Sequence, residues 1–153
     1  MKSNEEYKYH PLLIENNIMS ISFEPVTGHL LVSTRPSQKH ATVRHLIYEL
    51  ACNYQGGENV YSLNLIQCYP GVSVQKLLAR SKIFYHNNHL YGCAPDEPSK
   101  SALVWDVSRN ETIAKLTNSG EIYDVCSIQY NNVHYISTLT DKQLRVFKRN
   151  NDD

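Results

Sequence analysis

An aliphatic-aromatic-polar triplet closes a strand-like run three times in this chain: Ile47-Tyr48-Glu49, Val104-Trp105-Asp106 and Val146-Phe147-Lys148. The aromatic members stand 57 and 42 residues apart. Around them apolar residues alternate with period two, as in Val133, Tyr135, Leu139 and in Leu144, Val146, which is the pattern of strands with one buried face. Repetition at this spacing constrains the fold more than any single motif does. Each copy is a unit that cannot bury its apolar face alone and must stack on its neighbours.

Laid side by side, the copies share a strand-turn-strand-turn-strand order. The first runs SISFEPVTGHLLVSTRP and then ATVRHLIYEL; the second is KLLARSKIFYHNNHLYGCAPDEPSKSALVWDVS; the third is DVCSIQYNNVHYISTLTDKQLRVFKR. Tyr7 to Glu15, Val60 to Gln67 and Glu111 to Thr117 read as outer fourth strands. The expected division is therefore repeats over 7–50, 58–108 and 111–149, with disordered ends at 1–6 and 150–153. The longer first separation is accounted for by an extended hairpin around Asn53 to Glu58, turned by Gly56-Gly57. The fold class is all-β, a propeller fragment of about three blades in an open arc. Trp105 belongs in the third strand of the middle sheet, with Tyr48 and Phe147 at corresponding places. VQKLLARSK, Val74 to Lys82, has a helical look but lacks length and a cap, and is read as strand. Asp106 belongs to the best-preserved triplet, and Asp141 sits in a tight turn where an Asp side chain bonds the backbone that follows it.

Composition narrows the function. The 153 residues carry 15 basic and 15 acidic side chains for a net charge of 0, so the electrostatic footprint of a nucleic-acid binder is missing. No apolar stretch approaches the roughly 20 residues of a membrane span, and MKSNEEYKYH lacks the apolar core of a signal peptide. An intracellular chain with no membrane role is expected. Cys52, Cys68, Cys93 and Cys126 are 16, 25 and 33 residues apart with no Cys-x-x-Cys pair, and read as buried, reduced thiols.

Catalytic chemistry finds little support. His86 and His89 flank Asn87-Asn88, and His40 and His45 lie five apart, yet neither pair has a third ligand nearby, so no metal is expected. There is no Gly-x-Ser-x-Gly elbow and no Gly-rich phosphate loop, so no catalytic residue and no cofactor are expected; a small metal-dependent hydrolase using His86 and His89 is the enzymatic alternative. Asn110-Glu111-Thr112 matches a glycosylation acceptor and reads as a turn. The candidate partner-binding residues are Arg35, Lys39, His40 and Arg44, in and beside the loop RPSQKHAT, with Asp96 and Glu97 in the corresponding loop APDEPSK. Loops on a rigid scaffold are where recognition concentrates. Charges of both signs on one face suit a protein partner.

SALVWDVSRNETIAKL followed by IYDVCSIQYNNVHYISTLTDKQLRVFKR resembles the closing part of the RING-finger and WD-repeat E3 ubiquitin ligases that act with replication protein A, and HLLVSTRPSQKHATVRHLIYEL and VSVQKLLARSKIF resemble the preceding part of the same propeller. The resemblance spans roughly Ile18 to Lys148 and rests on the order of the segments. It implies a WD40-like β-propeller that binds protein substrates, replication protein A and other repair substrates among them, in the nucleus and in DNA repair. The family's zinc-binding RING is absent here, because four isolated Cys cannot supply its paired ligands. The chain then stands as a truncated product, an incomplete gene model or a diverged partial copy, and a general WD-repeat scaffold in another complex is the alternative function. Propellers close with roughly four to eight blades. Three should leave open faces through which the chain associates.

Overall fold

The computed structural model describes residues 17–40, 42–70 and 80–150. Eleven strands are present among them: β1 Ile18–Glu24, β2 His29–Thr34, β3 Arg44–Gln55, β4 Glu58–Tyr69, β5 Lys82–His86, β6 His89–Asp96, β7 Ser101–Asp106, β8 Glu111–Thr117, β9 Asp124–Tyr130, β10 Val133–Leu139 and β11 Leu144–Lys148. They form three antiparallel sheets in chain order, β1-β2-β3-β4, β5-β6-β7-β8 and β9-β10-β11. This is the architecture of an all-β, WD40-like partial propeller. The expected strand at Tyr7 to Glu15 and almost all of VQKLLARSK lie outside the described residues; Lys82 opens β5.

Local chemistry explains the hairpins. Asn87-Asn88 and Asn131-Asn132 have φ of 47°, 62°, 49° and 60°, and Gly56 and Gly57 have 60° and 90°. Two successive left-handed residues make the tight turn whose twist matches paired strands, and Asn and Gly tolerate that conformation best. Longer turns are closed by carboxylates: Glu24 accepts from Val26 N, Thr27 N and Thr27 Oγ1 at 3.2, 2.8 and 2.6 Å. Asp106 does the same after β7, accepting at Oδ1 from Ser108 N, Ser108 Oγ and Arg109 N at 2.8, 2.6 and 3.1 Å. In the last turn Thr140, rather than the expected Asp141, is the capping side chain. Its hydroxyl accepts from Lys142 N and Gln143 N at 3.3 and 3.0 Å, while Asp141 is exposed.

The sheets stack face to face through two cores. Between the first and second lie Leu31, Val43, Ile47, Tyr69, Ile83, Ala94, Trp105 and Val107; between the second and third lie Phe84, Tyr91, Cys93, Ala102, Val104, Ile122, Val125 and Ile136. The middle sheet is thus covered on both faces. Trp105 is fully buried on the third strand of that sheet and stacks on Tyr69 at 4.3 Å and 6°. Opposite it in register is Gly92, where an added Cβ would stand 2.1 Å from Trp105 Cζ2. Only glycine leaves room for the indole.

Tyr48 and Phe147 also sit on third strands. The ladders slip between Ile47 and Tyr48 and between Val104 and Trp105, so Tyr48 and Trp105 occupy matching places directly after a bulge. Period two turns Tyr48 away from Ile47 and hence away from the second sheet, where it is half-buried. Phe147 faces back toward the second sheet, as Trp105 faces the first.

The cysteines depart from expectation. Cys93 is buried and Cys68 half-buried, but Cys52 and Cys126 are exposed, since each stands on the strand face turned away from a core. All four are free thiols. Burial pushes the Cys93 thiol up to about 12, which makes it inert.

Candidate functional site

The direction of the innermost strands decides which loops share a surface. Ser20 Oγ and Ser81 Oγ lie 2.9 Å apart, and Ser22 Oγ accepts from Ile83 N at 3.1 Å, so β1 and β5 run side by side in the same direction. Arg80 N donates to Tyr123 O at 3.0 Å, which aligns the start of β9 with the start of β5. The loops after β2, β6 and β10 therefore emerge at one common end. On that end lie the β2–β3 loop with Arg35, Lys39, His40 and Arg44, the β6–β7 loop with Asp96 and Glu97, and the turn with Asp141.

The basic loop is anchored at both ends. Arg35 N donates to Asn17 O at 2.9 Å, Ser37 and His40 exchange backbone bonds at 2.7 and 3.2 Å, and Val43 is buried in the first core. Arg44 opens β3 opposite Thr34. Lys39 is exposed, whereas Arg35, His40 and Arg44 are half-buried. Ala41 lies outside the described residues. The acidic loop is also ordered: Ser99 Oγ donates to the Asp96 carboxylate, Lys100 N donates to Glu97 O at 3.1 Å, and Asn118 N donates to Lys100 O at 2.9 Å. The sequence-picked loop residues thus fall into two neighbouring loops on one end. Trp105, Tyr48 and Phe147 are dispersed through the stack, and Asp106 lies at the opposite end.

Beneath the basic loop runs a buried polar chain that sequence reasoning missed. Ser33 Oγ bonds Ser81 Oγ at 2.5 Å and His45 Nδ1 at 2.8 Å, joining the first two sheets. His45 also lies 5.8 Å from the Trp105 ring. Burial holds the His45 imidazole down at about 4, so it is neutral at pH 7. Through Nδ1 the neutral imidazole joins the buried hydroxyls and ties sheet register without burying a charge, while its Nε2 has no hydrogen-bond partner among the described residues.

Between the second and third sheets the stack opens into a cleft of about 670 Å³. Phe84, Tyr91, Ile136 and Phe147 line its apolar part, and His89, Arg109, Lys148 and Arg149 ring it. Arg149 sits 4.8 Å over the Tyr91 ring and donates from Nη2 to Tyr91 Oη at 3.2 Å, a cation-aromatic arrangement. His134 stacks on Phe84 at 4.5 Å and on His86 at 4.9 Å, with its Nε2 on Ser127 Oγ at 2.8 Å. Burial, then the positive neighbours His86 and Arg149, hold His134 at about 4. His86 is lowered too, by burial and by Arg149.

His86 and His89 diverge. The first packs on His134, while His89, its cross-strand partner on the same face, places Nδ1 3.6 Å from Asp106 Oδ2. Burial would raise Asp106, but the bonds from Ser108 and Arg109 outweigh it and leave the carboxyl below its usual range. Among the described residues no group of three or more His, Cys, Asp or Glu is placed to hold a metal ion.

A family model described as the E3 ubiquitin-protein ligase RFWD3 WD40 domain matches residues 1–148. The chain belongs to the RFWD3 WD40 family. Its similarity to E3 ubiquitin-protein ligase RFWD3 of Mus musculus is 31% identity over 153 residues, covering 97% of this chain and 20% of that protein. The RFWD3 proteins of Ailuropoda melanoleuca and Homo sapiens are 31% and 28% identical over 129 residues, covering 82% of this chain and 17% of each. The chain thus spans about a fifth of the length of these RFWD3 relatives.

Proposed function

We propose that this chain is the protein-recognition part of a ubiquitin ligase of the RFWD3 kind, and that it holds substrates on the loop-bearing end of its sheets. The family match over residues 1–148 carries the reading. Support comes from two well-tied loops of opposite charge standing side by side on a rigid pair of sheets, the setting in which recognition residues are held most accurately. Replication protein A, which the sequence resemblance implies, is the proposed partner, with other repair substrates; the proposed compartment is the nucleus. Catalysis of ubiquitin transfer is assigned to a RING outside this chain.

Charge reversal of Arg35, Lys39 and Arg44 tests the reading. Captured on immobilised replication protein A across a salt series, the triple variant should bind more weakly at low salt and converge with the parent as salt rises, since rim charges act mainly on association. Equal binding at every salt concentration would remove the basic loop from the recognition surface.

A further inference from the structure

The cleft between the second and third sheets has a positive wall that no described carboxylate balances. It lies at the end opposite the basic and acidic loops, where the turns after β5 and β7 and the end of β11 meet. Arg149 is fixed there twice: its backbone N donates to His134 O at 3.0 Å, and its guanidinium is held over Tyr91. Arg109, in the turn after β7, borders the same cleft. Among the described residues the ion pairs are Arg80 with Asp124 and His89 with Asp106, so neither Arg109 nor Arg149 has a carboxylate partner. Asp106 is the only carboxylate among the lining residues. Its oxygens are engaged by Ser108, the Arg109 backbone and His89.

Two imidazoles adjoin this wall. His134 lines the cleft and is 2% exposed; His86, equally buried, stacks on it. Neither ring nitrogen of His86 has a hydrogen-bond partner among the described residues. After burial, the neighbours that lower both rings are positive, Arg149 for each and His86 for His134. A fixed guanidinium beside unpartnered buried nitrogens, with no counter-ion, makes a field that favours an anion. A planar guanidinium matches a carboxylate through two parallel bonds.

The rest of the lining decides what carries the anion. Val104, Leu116, Ile136 and Phe147 lie in the same cleft, and a bare inorganic ion would leave them uncovered. A volume of about 670 Å³ is within the range of sites that enclose a ligand with an apolar body and a few polar groups. We propose that this cleft binds an acidic segment of a partner protein, with one carboxylate on Arg149 and Arg109 and the neighbouring apolar side chain against Ile136 and Phe147. Arg149, His134 and Tyr91 are joined through β10 and β6, so the anion-holding part does not depend on what pairs the outer edge of β11. The site is separate from the loop-bearing end, and neither reading rests on the other.

Fluorescence anisotropy of the full 153-residue chain with a short labelled peptide of alternating glutamate and leucine tests this, with circular dichroism to verify that each variant is folded. The peptide with glutamine in place of glutamate should bind about tenfold more weakly, as loss of charge-assisted bonds does. Arg149→Gln should weaken the acidic peptide by a similar factor and Arg109→Gln several-fold. Arg80→Gln, which removes an exposed positive charge at the other end, should leave binding unchanged. Inorganic phosphate should displace the peptide only when in large excess. No binding of the acidic peptide, equal binding of the glutamine peptide, or parent-like binding by folded Arg149→Gln would each overturn the proposal. A loss on Arg80→Gln as large as on Arg149→Gln would reduce the attraction to overall charge and overturn the site. Displacement by phosphate at peptide concentration would make a free oxyanion the ligand and overturn the partner segment.

Discussion

The two seams of the stack are built differently. The first is filled by the largest side chain of the molecule and stitched by Ser20, Ser81, Ser33 and His45; the second packs its apolar residues beside the buried imidazoles of His86 and His134 and opens into the cleft that Phe147 and Arg149 border. A seam filled to the density of a protein interior transmits position accurately, because any shift opens voids or clashes. A seam that already contains a gap tolerates movement. The basic and acidic loops stand at the end of the first seam, so the proposed recognition residues rest on the seam that Trp105 fills.

Shortening Trp105 to Ala should break this contrast most strongly. A fully buried indole replaced by a methyl group costs about 3–5 kcal/mol, whereas Ile136→Ala, beside the cleft, should cost about 2 kcal/mol, at the low end of such changes. Urea denaturation of both variants measures the difference, and equal losses would mean that the seams are equally tight.

Acid should act on both seams. His45 and His134 bind protons only near pH 4 when folded, but near 6.5 when unfolded. Below pH 6.5 the unfolded chain therefore takes up more protons, and stability falls until about pH 4. The stabilisation is complete above the unfolded value, and each ring contributes on the order of 3 kcal/mol across that window. Urea midpoints that stay flat between pH 6.5 and 4 would show that the rings are not kept neutral by burial; His134→Phe should remove the share of that ring and leave those of His45 and His86.

A smaller effect is expected from Gly92→Ala, whose new Cβ meets Trp105. The indole must shift, at about 1–3 kcal/mol as for other overpacked cores. Gly57→Ala, with nothing within 4 Å, meets only its φ of 90° and should cost less than Gly92→Ala by calorimetry.

Much of this was legible in the sequence. Period two gave the strands, the Asn-Asn and Gly-Gly pairs gave the turns, and Glu111 to Thr117 is β8 to the residue. What was not legible depends on register. Ser33, Ser81 and His45 have surface-type side chains, and only the alignment of β1 with β5 makes them a buried chain. The apolar face of the β3–β4 hairpin arises because the unpaired Ile66 reverses the facing of every earlier residue of β4, a one-residue slip that alternation cannot locate. The cleft joins residues of six strands and the Arg149 segment after β11, none of which marks it alone.

Charge reversal at Arg35, Lys39 and Arg44 should leave stability within about 0.5 kcal/mol of the parent, as surface changes do, so these loops can be probed without disturbing the seams. Hydrogen exchange of the chain with and without bound replication protein A is the most direct measurement. Slowing at residues 35–40 and 96–101, with the cleft-lining ends of β10 and β11 unchanged, is expected if recognition rests on loops over the tight seam; slowing confined to the third sheet, with both loops unchanged, would contradict it.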